Sequence, residues 1–396
     1  MSIKRGLARL AHTTPRKLDV ASVRGVLPGG PRETEHGALH LIDEYLEPRH
    51  HHGRVPIARA LEVSTERLAQ LALNPELESV DLQRALFFDT ETTGLAGGTG
   101  TVPFLIGIAW FEDESMRIQQ LFLPEMGREA PMLHWLAERV QQSSCLVSFN
   151  GKAFDWPLLR ARFILNRVPA PTLPPHLDLL HCARRVLRPR LRSVRLVELE
   201  RKVLGMHRED DVSGALIPQL YFDYLDGGDV SPMAKVIEHN ANDLIALAAL
   251  VAKLVSHFDQ VHGDDDPRDH LAYAKVAERA GDRTRAQSFA AAAANGGGES
   301  ACTVEACLLN ARMARRSGEL GDEERALRTA LEAANTDDLR AVVRLALAKF
   351  YEHRRKDLER ALEHAAGTVL AEGEDASERR VCRLQRRLGG VSACAD

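Results

Sequence analysis

The segment LFFDTETTG at residues 86–94 carries two acidic side chains, Asp89 and Glu91, directly after an apolar run. The apolar residues predict a buried strand, along which residues two apart share a face at roughly 7 Å. Two carboxylates so close to an apolar core cannot both be stably ionised unless a cation compensates their charges. Hard divalent cations are suited to this role because they prefer oxygen ligands. The pair is therefore a candidate metal site. The alternative is a strand end with two solvated acids, because D-x-E triplets are common.

Two later segments add acids of the same kind. In CLVSFNGKAFDWPLL (145–159) an apolar strand pattern runs into a turn, and Asp155 then opens a helical pattern. In VIEHNANDLIALAALVAKL (236–254) His239 and Asp243 stand four residues apart in a predicted helix. This spacing puts both side chains on one helical face, about 5–6 Å apart. The chain thus offers four carboxylates and one imidazole in three segments.

The motifs D-x-E, N-x3-F-D and H-x3-D, in this order, resemble those of the DEDD exonuclease group. The segments GLAGGTGTVPFLIG (94–107), HLDLLH (176–181) and DDVSGALIPQLYFDYL (210–225) resemble the YprB-type RNase H-like family of predicted nucleases, often fused to tetratricopeptide-type repeats. The resemblance covers roughly residues 35–255, and the helical tail by composition. It implies an α/β fold, an RNase H-like mixed sheet flanked by helices, followed by an all-α tetratricopeptide-like helical repeat domain.

The resemblance also implies a chemistry, in which Asp89 would bridge two metal ions, Mg²⁺ or Mn²⁺. Glu91 and Asp243 would complete one metal site, and Asp155 would reach the other. His239 would act as general base, since histidine titrates near working pH. Histidine-type members place this residue five positions before the last acid, whereas here three residues intervene. A helix-surface or supporting position is therefore the alternative for His239.

Residues beside the acids are candidates for binding substrate. By resemblance, Thr92 and Thr93 would offer backbone N–H and hydroxyl contacts to a terminal nucleotide. Asn150 is a candidate for the same surface, with the alternative role of fixing the turn that aims Asp155.

Basic residues are the remaining candidates, because a net charge of −4 means that any nucleic-acid surface must be local. Lys152 and Trp156, on either side of the third acid, combine a cation with an aromatic ring, which suits single-strand binding. The alternative for Trp156 is the core. A run of arginines between the second and third motifs includes Arg188, Arg190 and Arg192. It is a candidate phosphate-binding surface, and the alternative is a solvated helix face.

The patterns along the chain divide it into three regions. Residues 1–84 are expected to form an N-terminal extension, partly disordered, in which residues 1–34 are poorly ordered. Residues 85–258 are expected to form the RNase H-like exonuclease-type domain, and residues 268–390 a helical repeat domain. In the last region polar turns recur at a spacing near the roughly 34 residues of tetratricopeptide units. A plain helical bundle is the alternative there.

Local patterns predict several elements of the central domain. Strands are expected at residues 104–110, 117–123 and 145–149, and a helix at 129–142. The glycine-rich stretch at 94–100 links two predicted strands and lacks a βαβ context, so it predicts a tight hairpin rather than a dinucleotide-binding loop.

Composition predicts a cytoplasmic protein without membrane contact. The N-terminus lacks the apolar core of a signal peptide, and the longest apolar stretch, Leu244–Ala252, is too short to span a bilayer. The six cysteines contain no C-x-x-C pair, which indicates reduced thiols.

The leading hypothesis is a metal-dependent nuclease, a 3′–5′ exonuclease acting on single-stranded DNA or RNA ends by two-metal-ion hydrolysis. The alternative is a non-catalytic nucleic-acid-binding or scaffold protein that acts on a protein partner through its helical repeats. A phosphatase with a D-x-D-type nucleophile is disfavoured, because Glu91 stands at the second position and the N-x3-F-D motif follows.

Overall fold

A computed structural model describes residues 27–94 and 100–389 of the chain. The predicted disorder at the N-terminus falls mostly on residues 1–26, and the predicted hairpin at 94–100 falls mostly on residues 95–99. Both stretches lie outside the described residues.

The chain divides into two compact units. The first holds the described residues up to His181 together with Arg195–Val255. The second holds Cys182–Val194 and the described residues from Ser256 onward. The predicted helical region thus shares a unit with a short segment that precedes it by some sixty residues in the chain.

The first unit contains the strands of the described chain. They are β1 Gly30–Thr34, β2 Gly37–Leu46, β3 His51–His52, β4 Val55–Pro56, β5 Ala85–Thr92, β6 Pro103–Glu112, β7 Ser115–Phe122, β8 Cys145–Ser148 and β9 His176–Asp178. Seven of them form one sheet in the order β1-β2-β7-β6-β5-β8-β9, and β3 pairs with β4 in a separate small hairpin.

The directions of these strands are those of an RNase H-like mixed sheet. Strands β5, β6 and β7 are antiparallel neighbours, while β8 runs parallel to β5 and β9 parallel to β8. The predicted strands at 104–110, 117–123 and 145–149 correspond to β6, β7 and β8. The predicted fold class, a mixed sheet flanked by helices and followed by an all-helical region, is confirmed.

The N-terminal extension contributes to this sheet. Strand β2 pairs antiparallel with β7, and β1 pairs with β2 at the outer edge. The expectation of poor order is therefore wrong for residues 30–34. Their sequence, GPRET, has no apolar alternation to indicate a strand; the backbone hydrogen bonds offered by β2 provide the order instead.

The helices of the first unit cover the sheet. They are α1 Thr65–Ala72, α2 Ala130–Gln142, α3 Asp155–Leu165, α4 Leu179–Val186, α5 Leu196–Leu199, α6 Ile217–Leu225 and α7 Ser231–Asp259, with 3₁₀ turns at Ile57–Leu61, Pro75–Ser79 and Leu82–Arg84 and a π-helix at Glu200–Leu204. Helix α4 begins in this unit and ends in the second, and α7 ends there as well. The core lies between sheet and helices and includes Phe88, Phe104 and Leu136, all essentially inaccessible to solvent.

Helix α7 carries two of the candidate site residues. By length and composition alone it could cross a membrane, which the shorter stretch considered from the sequence did not indicate. Of the most apolar 18-residue window of this helix, 67 % is buried inside the protein. Packing in the core therefore accounts for its apolar composition.

Among the residues described, the regular elements of the second unit are all helices. Its elements after α7 are α8 Pro267–Ala280, α9 Arg283–Asn295, α10 Ser300–Ser317, α11 Leu320–Ala333, α12 Asp337–Phe350 with a π-helix at Tyr351–Arg355, α13 Leu358–Ala365, α14 Val369–Glu372 and α15 Glu374–Arg387. The first helices of successive pairs begin at residues 267, 300 and 337, close to the roughly 34-residue tetratricopeptide period. Their assignment to that repeat type stays a prediction.

The cysteines agree with the sequence analysis in all but one of the described cases. Cys145, Cys182, Cys302 and Cys307 are buried and free. Cys382 is disulfide-bonded, so the expectation of reduced thiols is wrong at this residue.

Candidate active site

Strand β5 carries the first two acids at the middle of the sheet. Asp89 and Glu91 are half-buried beside the apolar residues that precede them. Burial raises the pKa of Asp89 well above its ordinary value, and the carboxylates of Asp243, Glu91 and Asp155 raise it further. Burial also raises the pKa of Glu91, as do Asp243 and Asp155. The fold thus brings the four acids of the three motifs within electrostatic reach of one another.

Asp89 is held by Asn240 of helix α7. The Asn240 side-chain amide donates to Asp89 Oδ2 at 2.9 Å, and its own Oδ1 accepts from Gln120 Nε2 at 2.9 Å. Asn240 is fully buried, and this position exists only because Gly107 faces Asp89 in the β5–β6 register. A Cβ at residue 107 would lie 2.1 Å from Asn240 Oδ1. The glycine therefore lets the helix approach the sheet closely enough to orient an acid.

Asp155 opens helix α3, as the sequence predicts, and is 6 % exposed. Its carboxylate accepts a hydrogen bond from the hydroxyl of Thr90, the residue between Asp89 and Glu91. Burial raises its pKa to about 6, against the opposing effect of the Thr90 hydroxyl. Asp155 is thus tied directly to strand β5.

The turn before Asp155 is fixed by a fifth acid, Asp178. Its carboxylate accepts from the backbone N–H of Asn150 at 2.8 Å and of Lys152 at 3.2 Å. Asn150 has a left-handed φ of 71°, a conformation that asparagine tolerates better than most residues. These bonds fit the turn-fixing alternative for Asn150, and Asp178 has the structural role of holding that turn.

His239 faces two acids with one ring nitrogen and a third with the other. Its Nε2 lies 3.9 Å from Glu91 Oε1 and 3.8 Å from Asp243 Oδ2. Its Nδ1 lies 2.6 Å from Asp211 Oδ1. Arg208 Nη1 is also 3.3 Å from Nδ1, but the much shorter contact with a carboxylate assigns the proton to Nδ1. Nε2 is then free to accept a proton on the side of the acids.

Asp243 is paired with a buried arginine. Arg208 Nη2 donates to Asp243 Oδ1 at 2.5 Å and to Glu200 Oε1 at 2.8 Å, and the Arg208 side chain is only 3 % exposed. Burial raises the pKa of Asp243, while Arg208 and His239 oppose the rise. Burial alone would lower the pKa of Arg208, but Asp243 and Glu200 together raise it above its ordinary value.

The pairing extends to the N-terminal extension through Glu200. Oε1 of Glu200 also accepts from Nε2 of His52 at 2.6 Å, and both side chains are almost completely buried. The network runs from the β3–β4 hairpin through the π-helix to α7. Apart from Asp243, the sequence analysis missed the members of this network, Arg208, Glu200 and His52, and it missed Asn240 as well. The one available signal was that Asn240 directly follows His239 on the same helix.

These residues suit metal ions by the chemistry of their donor atoms, whereas their positions do not form a preformed metal site. Among the residues that the structure describes, no group of three or more His, Cys, Asp and Glu side chains is arranged to hold an ion. The donor set is nevertheless that of a hard divalent cation, since buried carboxylates raise one another's pKa. In this arrangement the Arg208 guanidinium is the cation next to them, on Asp243.

The remaining candidates are placed differently. The Thr92 hydroxyl donates to Gly94 O at 2.9 Å, and the Thr93 hydroxyl accepts from Val102 N at 3.0 Å, so both hydroxyls hold the end of β5. The Lys152 side chain is exposed in the first unit.

The three arginines lie in the second unit. Arg188 and Arg192 are exposed, whereas Arg190 is half-buried and donates from Nε to Asp269 Oδ2 at 2.8 Å. Arg190 therefore already has an ion-pair partner, Asp269, within the second unit.

Residues 86–255 match a model of the RNase H superfamily, which supports a nuclease-type fold for this part of the chain. The chain is also similar along most of its length to the "Uncharacterized protein YprB" of Bacillus subtilis (strain 168). The two are 29 % identical over 345 residues, which cover 86 % of this chain and 82 % of that protein. The predicted resemblance to the YprB-type RNase H-like family is confirmed.

Proposed function

We propose that this protein is a metal-dependent nuclease, a 3′–5′ exonuclease that removes nucleotides from single-stranded DNA or RNA ends. The observation that carries the proposal is the position of Glu91 and Asp243 beside His239, with Asp89 and Asp155 within electrostatic reach of these two acids. Phosphodiester hydrolysis needs an activated water and a stabilised leaving oxygen. Two Mg²⁺ or Mn²⁺ ions held by the four carboxylates would supply both.

The protein's own groups prepare this site for the reaction. His239 Nε2 is available to take a proton from the attacking water, because Nδ1–H donates a hydrogen bond to Asp211 and this bond fixes the orientation of the ring. Asn240 orients Asp89, and Thr90 orients Asp155. These two acids are therefore positioned by hydrogen bonds before substrate arrives.

One observation favours a second function. Arg208 neutralises Asp243 directly, so one of the four acids already has a cation supplied by the protein itself. Such a site would suit a non-catalytic nucleic-acid-binding or scaffold protein whose helical pairs, proposed as tetratricopeptide-type repeats, bind a protein partner. In either case we propose a cytoplasmic location.

A hydrolysis assay separates the two functions. Single-stranded DNA and RNA, labelled at either end, would be incubated with the protein in Mg²⁺, Mn²⁺ or chelator, beside the Asp89→Asn variant. A 3′–5′ exonuclease releases mononucleotides progressively from 3′ ends, only with metal and not in the variant. Binding without any metal-dependent cleavage would support the scaffold function and reject the nuclease.

A further inference from the structure

A cleft distinct from the group of acids lies beside Asp155 in the first unit. It has a volume of about 460 Å³ and is lined by Glu76, Lys152, Trp156, Leu173, Pro174, Pro175 and His176. None of these residues belongs to the group of acids. We propose that this cleft binds an unpaired nucleobase of a single-stranded substrate by stacking on Trp156, with the adjoining phosphate on Lys152. The inference rests on the proposed function and names the form of nucleic acid that the site accepts.

The walls of the cleft are apolar and aromatic. Leu173 is 40 % exposed, which is high for a large aliphatic side chain beside two prolines and an indole. Trp156 is half-buried and packs edge-on against Phe88 with ring centroids 6.2 Å apart. Every base has an apolar face that such a surface can cover, so stacking binds single strands with little sequence preference.

The polar groups in the cleft suit a neutral base and a negative phosphate. His176 is uncharged at neutral pH, because burial and the nearby Lys152 lower its pKa to about 3. Its Nε2 is already paired with the Ser148 hydroxyl at 2.7 Å. Lys152 is exposed and supplies the cation, while the carboxylate of Glu76, which also lines the cleft, is an acceptor for the amino groups of a base edge.

The cleft is rigid and close to the acids. The Lys152 backbone is held by Asp178, and Pro175 O accepts from Leu146 N at 2.9 Å. Phe88 contacts the rings of both Trp156 and His176, and it shares a face of strand β5 with Thr90, whose hydroxyl bonds Asp155. A nucleotide seated in the cleft would therefore lie next to Asp155.

A binding experiment in chelator tests the subsite without any cleavage. Short oligothymidylates carrying one abasic position, moved stepwise from the 3′ end, would be titrated by fluorescence anisotropy. For the wild-type protein, one position should weaken binding by roughly 5- to 150-fold, the effect of one lost stacked base. Trp156→Leu keeps apolar volume against Phe88. This variant should bind the intact strand more weakly by the same factor, and moving the abasic position should not change its affinity. Trp156→Phe should restore the sensitivity.

A charge measurement accompanies it. Lys152→Ala should lower the slope of log affinity against log salt by roughly 0.7 for a single strand. Lys235→Ala, at an exposed lysine of the same unit outside the cleft, should not lower it. An unchanged slope in Lys152→Ala would reject the phosphate contact.

The subsite is overturned if no abasic position matters to the wild-type protein, or if Trp156→Leu keeps the wild-type pattern. Should Trp156→Leu fail to fold, 2-aminopurine placed at the sensitive position gives the same answer on the wild-type protein. Quenching by stacking supports the subsite, and unquenched fluorescence rejects it. Because no metal is present, the proposed nuclease activity can fail in its own assay while the subsite stands, and the reverse holds as well.

Discussion

At the scale of single residues, the site is a set of carboxylates whose charges are unfavourable in the metal-free protein. Asp89 is the centre of this set, since burial and three neighbouring acids all raise its pKa. A group whose pKa is raised by folding stabilises the folded state only at low pH, and this contribution is lost as the pH rises through the raised pKa. At neutral pH the Asp89 charge therefore destabilises the apo protein.

We expect Asp89→Asn to abolish hydrolysis and to leave the apo protein at least as stable as wild type at pH 7. The substitution removes a charge and almost no volume. The advantage in Tm should shrink as the pH falls toward about 4, where the wild-type acid becomes protonated in both states. Calorimetry in chelator measures this, with Asp113→Asn as the control at an exposed turn residue. A variant less stable than wild type at pH 7 would contradict the assignment.

The imidazole of His239 depends on Asp211 for its orientation. We expect Asp211→Asn to lower kcat by about 10²-fold, the smaller end of general-base contributions, with little change in KM. The reason is that the amide can stabilise the wrong tautomer of the ring. Steady-state kinetics measure the effect. Asp210→Asn is the matched control, because Asp210 is the exposed neighbour in the chain. Equal kcat in the two variants would show that Asp211 does not support His239.

At the scale of elements, the site depends on close approaches between segments that are remote in sequence. Gly107 in β6 lets α7 come near enough for Asn240 to reach Asp89. The hairpin β3–β4 is fixed to the π-helix by Arg54 N, which donates to Leu204 O at 2.8 Å, and by His52 on Glu200. Arg208 then joins the π-helix to α7.

We expect Arg208→Ala to destabilise the protein by about 3–5 kcal/mol, the effect of removing one partner from a buried ion pair. Glu200, which is 1 % exposed, would keep only His52 as its partner. Urea unfolding measures the change. Arg201→Ala is the control, since Arg201 belongs to the same π-helix but pairs with Glu198 at the surface, and about 0–1 kcal/mol is expected there. A similar small loss in both variants would show that the network contributes little.

At the scale of the whole molecule, the net charge of −4 offers no general attraction to nucleic acid, so binding must rest on local basic surfaces. The three arginines at positions 188, 190 and 192 differ in whether their charge is available to a ligand. Arg188 and Arg192 are exposed, while Arg190 pairs with Asp269 of helix α8 inside the second unit. Proximity in sequence therefore does not give these three arginines one role.

We expect Arg188→Ala and Arg192→Ala each to lower the log–log salt slope of single-strand binding by roughly 0.7. Arg190→Ala should leave the slope unchanged and lower the stability of the helical unit instead, because it leaves the buried Asp269 carboxylate without its cation. Anisotropy titrations over a range of salt, together with thermal melts, measure both effects. Slopes that match wild type at positions 188 and 192 would mean that the run is a solvated face.

Consecutive residues of the chain suffice to predict the candidate acids and the elements that carry them. Asp89 and Glu91 follow from the two-residue period of a strand, and His239 and Asp243 from the period of a helix. Such local periods are written in consecutive residues, so strands β6, β7 and β8 and helices α2 and α3 were also predictable.

The contacts that each acid makes depend on segments that lie far apart in the chain and meet in the fold. Arg208, Glu200, His52 and Asp211 stand in no periodic relation to the motifs, and His52 lies 148 residues from its partner. The strand at residues 30–34 and the place of residues 182–194 in the helical unit were equally hidden. The physical reason is the same in each case. Burial and hydrogen-bond pairing depend on which segments meet in space, and a polar residue shows in its own sequence neighbourhood neither its depth nor its partner.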